Sequence, residues 1–141
     1  GYGFLAHEVS MKVTTPVADV SQLSASFQVT GGVERIKSQH ALAAEVGAVN
    51  SASIDNAASS ANGGVGYLQA DGGGSSLTSV WKIQHSTDNS VWVDLITFAT
   101  VTNATRTAER ATVAGTVNRY TRATNNATTN GAQVQVSFGR T

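Results

Sequence analysis

Residues 80–95 read VWKIQHSTDNSVWVDL. Trp81 and Ile83 alternate with Lys82 and Gln84, so one face of this segment is apolar and the other polar, the period of a half-buried strand. Asp88 and Asn89 follow, two residues that tolerate left-handed backbone and hydrogen-bond their own main chain. Val91 and Val93 then flank Trp92, which reads as the return strand. Both tryptophans of the chain lie in this stretch. Burying a large apolar side chain contributes roughly 1.5–3 kcal/mol, so the hairpin is expected to anchor a core, with Trp81, Asp88 and Trp92 holding the fold.

Outward from it the pattern stays β. Residues 65–70, 77–85, 90–98, 108–113, 116–123 and 133–138 read as short strands, the last with Val134, Val136 and Phe138 on one face. Polar turns separate them: DGGGSS at 71–76, Ala114-Gly115, and TNNATTNG at 124–131. Short strands at such spacing point to an all-β, jelly-roll-like sandwich over 65–141.

The N-terminal part is different. Residues 4–15 and 21–30 alternate cleanly around a break at 16–19, giving Val9, Met11 and Val13, then Leu23, Ala25, Phe27 and Val29. They form an antiparallel hairpin within a first unit, 1–32, and a hairpin alone is marginal in water. Residues 33–64 are assigned to an arm or linker. Within it, 33–46 is extended, with a short helix over 41–46 as the open alternative. Residues 47–64 are nearly devoid of bulky side chains. The chain opens at Gly1 with a strand pattern close behind, as expected of a piece of a larger fold.

Composition narrows the function. Nine basic and nine acidic residues give zero net charge, and nucleic-acid binding needs a clustered basic surface. The arginines at 106, 110, 119, 122 and 140 are expected to form salt bridges and interface pairs, and no sequence-specific nucleic-acid partner is expected. No apolar run approaches the ~20 residues of a membrane helix. Cysteine is absent, which removes disulfides and thiolate metal sites. His7, His40 and His85 lack ligand spacing. His85, Ser86 and Asp88 hold the residue types of a nucleophilic triad, but a local turn cannot set the imidazole between hydroxyl and carboxylate. DGGGSS lacks the lysine and helix of a phosphate loop. Asp55, Asp71, Asp88 and Asp94 lack a calcium-loop pattern. The Asn103 and Asn126 sequons are the chance matches expected of an Asn/Thr-rich chain. No catalytic residue, cofactor or metal is expected. Arg119, Tyr120 and Arg122, in VNRYTRA, are expected to support the fold, with the two arginines on opposite faces of a strand.

Two resemblances are carried by these residues. The hairpin and VNRYTRA resemble the discoidin-type, galactose-binding-like sandwich, with Ser86, Asp88, Trp92, Arg119, Tyr120 and Arg122 at its motif positions and Asn89 where glycine is usual. That resemblance implies architecture and not sugar binding. Over most of the chain, VTTPVADVSQLSASFQVTGGVERIKSQHAL, SIDNAASSANGGVGYLQ and GTVNRYTRA are similar to the tailed-phage major tail (tube) proteins. It implies that Leu23, Phe27, Gly31, Gly32 and Arg35 close an assembly module, and that 65–141 is an outer domain. The larger part of the tube module that would precede Gly1 is missing from this sequence. The expected function is that of a structural virion protein, located in the virion, whose partners are identical copies and other virion proteins. A capsid decoration or cement protein is the alternative. A carbohydrate-binding module reading a host-surface glycan is a further one.

Overall fold

A computed structural model describes residues 1–3, 6–14, 22–29, 32–71, 78–102, 106–126 and 132–141. Its strands are β1 (Tyr2–Gly3), β2 (Ala6–Thr14), β3 (Gln22–Val29), β4 (Glu34–Arg35), β5 (Lys37–Glu45), β6 (Ile54–Asp55), β7 (Gly64–Asp71), β8 (Thr78–Ser79), β9 (Trp81–Ser86), β10 (Val93–Thr97), β11 (Val101–Thr102), β12 (Thr107–Val113), β13 (Tyr120–Asn125) and β14 (Ala132–Arg140). No helix occurs among the described residues, and so none long and apolar enough to cross a membrane. The chain divides into two compact units, one formed by Tyr2–Glu34 and the other by Gly1 with Arg35–Thr141.

The larger unit is built from two four-stranded antiparallel sheets, ordered β12-β7-β14-β5 and β10-β9-β13-β6. The pairings nest: β5 with β14, β6 with β13, β7 with β12, and β9 with β10. A long hairpin, folded at the β9–β10 turn and rolled so that its pairs alternate between sheets, is the jelly roll. The expected jelly-roll-like sandwich is therefore present.

Alternation explains its core. On β7, Leu68 and Ala70 are buried while Gln69 and Asp71 are exposed; on β14, Ala132, Val134, Val136 and Phe138 are buried. They meet Trp81 and Ile83 of β9, Ile96 of β10, Ala123 of β13, and Phe98, Val101 and Val117. The sheets approach closely at Gly66, where a Cβ would lie 2.7 Å from Ile83 Cδ1 and 3.0 Å from Ile96 Cδ1 and Phe98 Cζ.

The structure corrects the assignment of 33–64 to an arm. Residues Lys37–Glu45 form β5, an edge strand on β14, with no helix at 41–46, and Ile54–Asp55 form β6, the edge of the other sheet. Alanines favour helix in isolation, but that preference is small beside the ladder offered by the strongly β-forming β14. The rest of the stretch is also fastened to the sandwich. Ser51 N donates to Ala123 O, Ser60 and Val117 exchange backbone hydrogen bonds, and Asn56 Nδ2 reaches Thr121 Oγ1 at 3.2 Å.

One glycine is dictated by its backbone. Gly63 has φ +80°, and a Cβ there would lie 2.0 Å from the carbonyl oxygen of Val113. Gly63→Ala would combine left-handed strain with a clash against main chain, so a loss of more than about 2 kcal/mol is expected in urea denaturation. A loss below about 0.5 kcal/mol would show that this corner moves freely.

The smaller unit is the expected hairpin. Strands β2 and β3 pair from Ala6↔Val29 to Thr14↔Gln22, with a bulge between Glu8 and Ser10. The turn expected at 16–19 and Gly31 lie outside the described residues, as does most of the loop at 71–76, all of the Asn103 sequon and residues 127–131.

Candidate functional site

The motif residues gather on the outside of the β10-β9-β13-β6 sheet. The β9–β10 connection is wider than a two-residue turn, because β9 ends at Ser86 and β10 begins at Val93. Asp88 organises it. Its Oδ1 accepts hydrogen bonds from Ser90 N, Val91 N and Ser86 Oγ, each at 2.9 Å. The Val91 and Ser90 amides, more than the hydroxyl, hold its carboxyl far below the ordinary carboxylate range. Asn89 takes φ 61°, as its residue type allows. Ser86 is thus spent on the turn. His85 accepts from Asn118 N through Nδ1 at 3.2 Å, and partial burial lowers its pKa. No triad geometry exists here.

The return strand differs from expectation. Trp92 precedes β10, and Val91 and Val93 on either side are exposed. Trp92 instead carries the Arg122 guanidinium over its ring, 4.2 Å from the centroid. Arg122 also donates through Nε and Nη2 to Gln84 Oε1 at 3.0 and 2.8 Å, and Gln84 Nε2 donates to Asp94 Oδ1 at 2.8 Å. Arg119 lies just before β13 and grips Asp55 of β6 with two bonds, Nε–Oδ1 at 2.7 Å and Nη2–Oδ2 at 2.6 Å. Its guanidinium lies 5.0 Å from the Tyr120 ring centroid. Both arginines bond surface groups, rather than one entering the sandwich. Their stacked, bidentate geometry needs the planar fork of arginine.

The Arg119 pair, assisted by Ala57 N, lowers the Asp55 pKa from 3.8 to about 2. For a carboxylate depressed on folding, the stabilising contribution is complete above the unfolded value and is lost as pH falls through the folded one. Urea midpoints should therefore drop between about pH 4 and pH 2, and Asp55→Asn should flatten part of that drop. An unchanged profile in the variant would show that the pair contributes nothing.

Of the residues expected in assembly, Leu23 and Phe27 lie on β3, Gly32 is exposed, and Arg35 closes β4. Arg35 borders a cleft of about 260 Å³ in the larger unit, with Lys37, Gln39, Asn56, Phe138, Gly139 and Arg140. Gly139 makes the approach possible, since a Cβ would lie 2.4 Å from Arg35 O. Of the cleft residues, the sequence marked Arg35 for assembly, Arg140 for a salt bridge or interface pair and Phe138 for one face of the last strand. Lys37 and Gln39 carried no such local signal, because KSQHALAAE becomes a strand only by pairing with β14.

Among the described residues no three His, Asp or Glu side chains converge as a metal site would require. No family model, curated protein or solved structure matches the chain.

Proposed function

We propose that this chain is a structural virion protein that self-assembles, most closely of the tail-tube type, with the jelly roll displayed on the outside. The observation that carries the reading is the Tyr2–Glu34 unit. It is a compact unit of its own, and among the described residues its long strands β2 and β3 pair only with each other. Such a hairpin does not stand alone in water, and its free edges offer backbone donors and acceptors to other strands. Identical copies supply those strands. Low charge, 13% of residues, suits dense packing of like subunits. The resemblance of the 23–35 segment to tube-forming strands points the same way.

On this reading the strand that holds Leu23 and Phe27 is the one that meets a neighbouring subunit. Light scattering and electron microscopy of the purified chain should show rings or tubes. Phe27→Asp should abolish them while leaving the thermal transition of the jelly roll unchanged. A monomer at all concentrations, or assembly indifferent to Phe27→Asp, would sink the proposal. The second reading, a capsid decoration protein, is favoured by the closed jelly roll, an architecture also used in capsids. A discrete trimer would select it.

A further inference from the structure

The cleft that Arg35 borders with β5 and β14 is charged in one sense only. Its ionisable lining residues are Arg35, Lys37 and Arg140. Among the described residues none of them has a carboxylate within ion-pair distance. Asp55, which feels the charge of Lys37, is already held by Arg119. Arg140 is oriented by the Ala58 carbonyl, which its Nη2 reaches at 2.6 Å, and Lys37 Nζ donates to Asn56 Oδ1 at 3.1 Å. Two of the cations are thus positioned before any ligand arrives, while the exposed Arg35 is open to solvent.

A second observation is independent of charge. Gln39 lines the same cleft and is 5% exposed, yet its Oε1 is buried without a hydrogen-bond partner among the described residues. An unpaired buried acceptor costs free energy, and it calls for a donor. An inorganic anion at neutral pH brings acceptors almost exclusively. A ligand that satisfies both the cations and Gln39 carries an anionic group beside a hydroxyl. The volume is near the small end of ligand sites, enough for one sugar unit and not for an oligosaccharide.

We infer that this cleft binds one acidic sugar unit, its carboxylate or sulfate among Arg35, Lys37 and Arg140 and a neighbouring hydroxyl donating to Gln39 Oε1 once that amide turns out of its buried position into the cleft. The cations supply most of the attraction, and Gln39 selects sugars over bare anions. Its residues all belong to the Arg35–Thr141 unit, and Arg35 alone is shared with the assembly reading.

The test is a titration of the full chain, followed by amide chemical shifts, with glucuronate, glucose 6-sulfate, glucose and inorganic sulfate at two salt concentrations. At least one acidic sugar should bind at least tenfold more tightly than glucose and than inorganic sulfate, with shifts centred on β5 and β14 and weakening as salt rises. Arg35→Ala with Lys37→Met, both at exposed positions, should cut that affinity tenfold or more without changing the melting temperature. Gln39→Leu should bring the acidic sugar down to the level of sulfate. Equal binding of sulfate and acidic sugars would overturn the sugar assignment and leave a simple anion site. Absence of binding by both acidic sugars, or full affinity in the double variant, would overturn the site. If the shifts appear only on self-association, an acidic side chain of a second copy is the occupant, and the inference fails.

Discussion

A chain that begins at Val65 should not fold into the sandwich, whereas one that begins at Arg35 should. The truncation at 65 removes β5 and β6, which are the edge strands of the two sheets. β14 would lose its ladder from Ala132↔Glu45 to Phe138↔Lys37, and β13 its pairing with Ile54 and Asp55. His40, whose ring lies 4.9 Å from that of Trp81, would go as well. In a jelly roll the early strands are the hairpin partners of the late ones, so the loss falls on both sheets at once. A circular-dichroism melt should show no cooperative transition for 65–141 and one for 35–141. A cooperative melt of 65–141 would return residues 33–64 to the status of an arm.

The second large effect is expected at Trp81. This side chain is fully buried among the apolar residues of both sheets, and truncation to alanine leaves a cavity that neighbouring strands cannot fill. Phe/Trp→Ala substitutions in cores cost about 3–5 kcal/mol, a large share of the roughly 5–15 kcal/mol that holds a domain together. Trp81→Ala should therefore be unfolded, or nearly so, at 37 °C. Trp81→Phe should remain folded with a smaller loss, because it keeps much of the volume and removes an indole N–H that has no hydrogen-bond partner among the described residues. At Trp92, which is half-buried and stacked on Arg122, alanine should cost much less. Equal losses at the two tryptophans in chemical denaturation would contradict this division of roles.

That division was only partly legible in the sequence. The alternation WKIQ placed Trp81 and Ile83 inward and Lys82 and Gln84 outward, as found. Trp92 reads as a strand residue by the same rule, because its valine neighbours complete an alternating triplet. Asp88 decides otherwise, since bonds to the Ser90 and Val91 amides hold the backbone in a wide turn as far as Trp92. Periodicity registers apolar spacing and does not register a carboxylate that captures main-chain donors.

β5 was hidden for a related reason. KSQHALAAE has no Val, Ile, Thr, Phe, Tyr or Trp, and it becomes a strand because β14, at the far end of the chain, supplies the ladder. Non-local pairing of this kind leaves little trace in local sequence. The cleft inherits the same difficulty. Arg35, Lys37 and Gln39 come together with Arg140 only once the first and last strands of the roll are neighbours. The partners of the two motif arginines, Asp55 and Gln84, were equally unmarked, being single polar residues whose roles depend on strand register.

The central claim is that the Tyr2–Glu34 hairpin pairs with strands of identical subunits. Amide hydrogen exchange over Ala6–Thr14 and Gln22–Val29, followed as protein concentration rises through assembly, tests it most directly. In the isolated subunit, the amides not bonded between β2 and β3 should exchange within seconds. On assembly they should become protected by at least a hundredfold, while exchange in the jelly roll stays constant. Assembly that leaves those amides as fast as before, or protection that never depends on concentration, would contradict the claim.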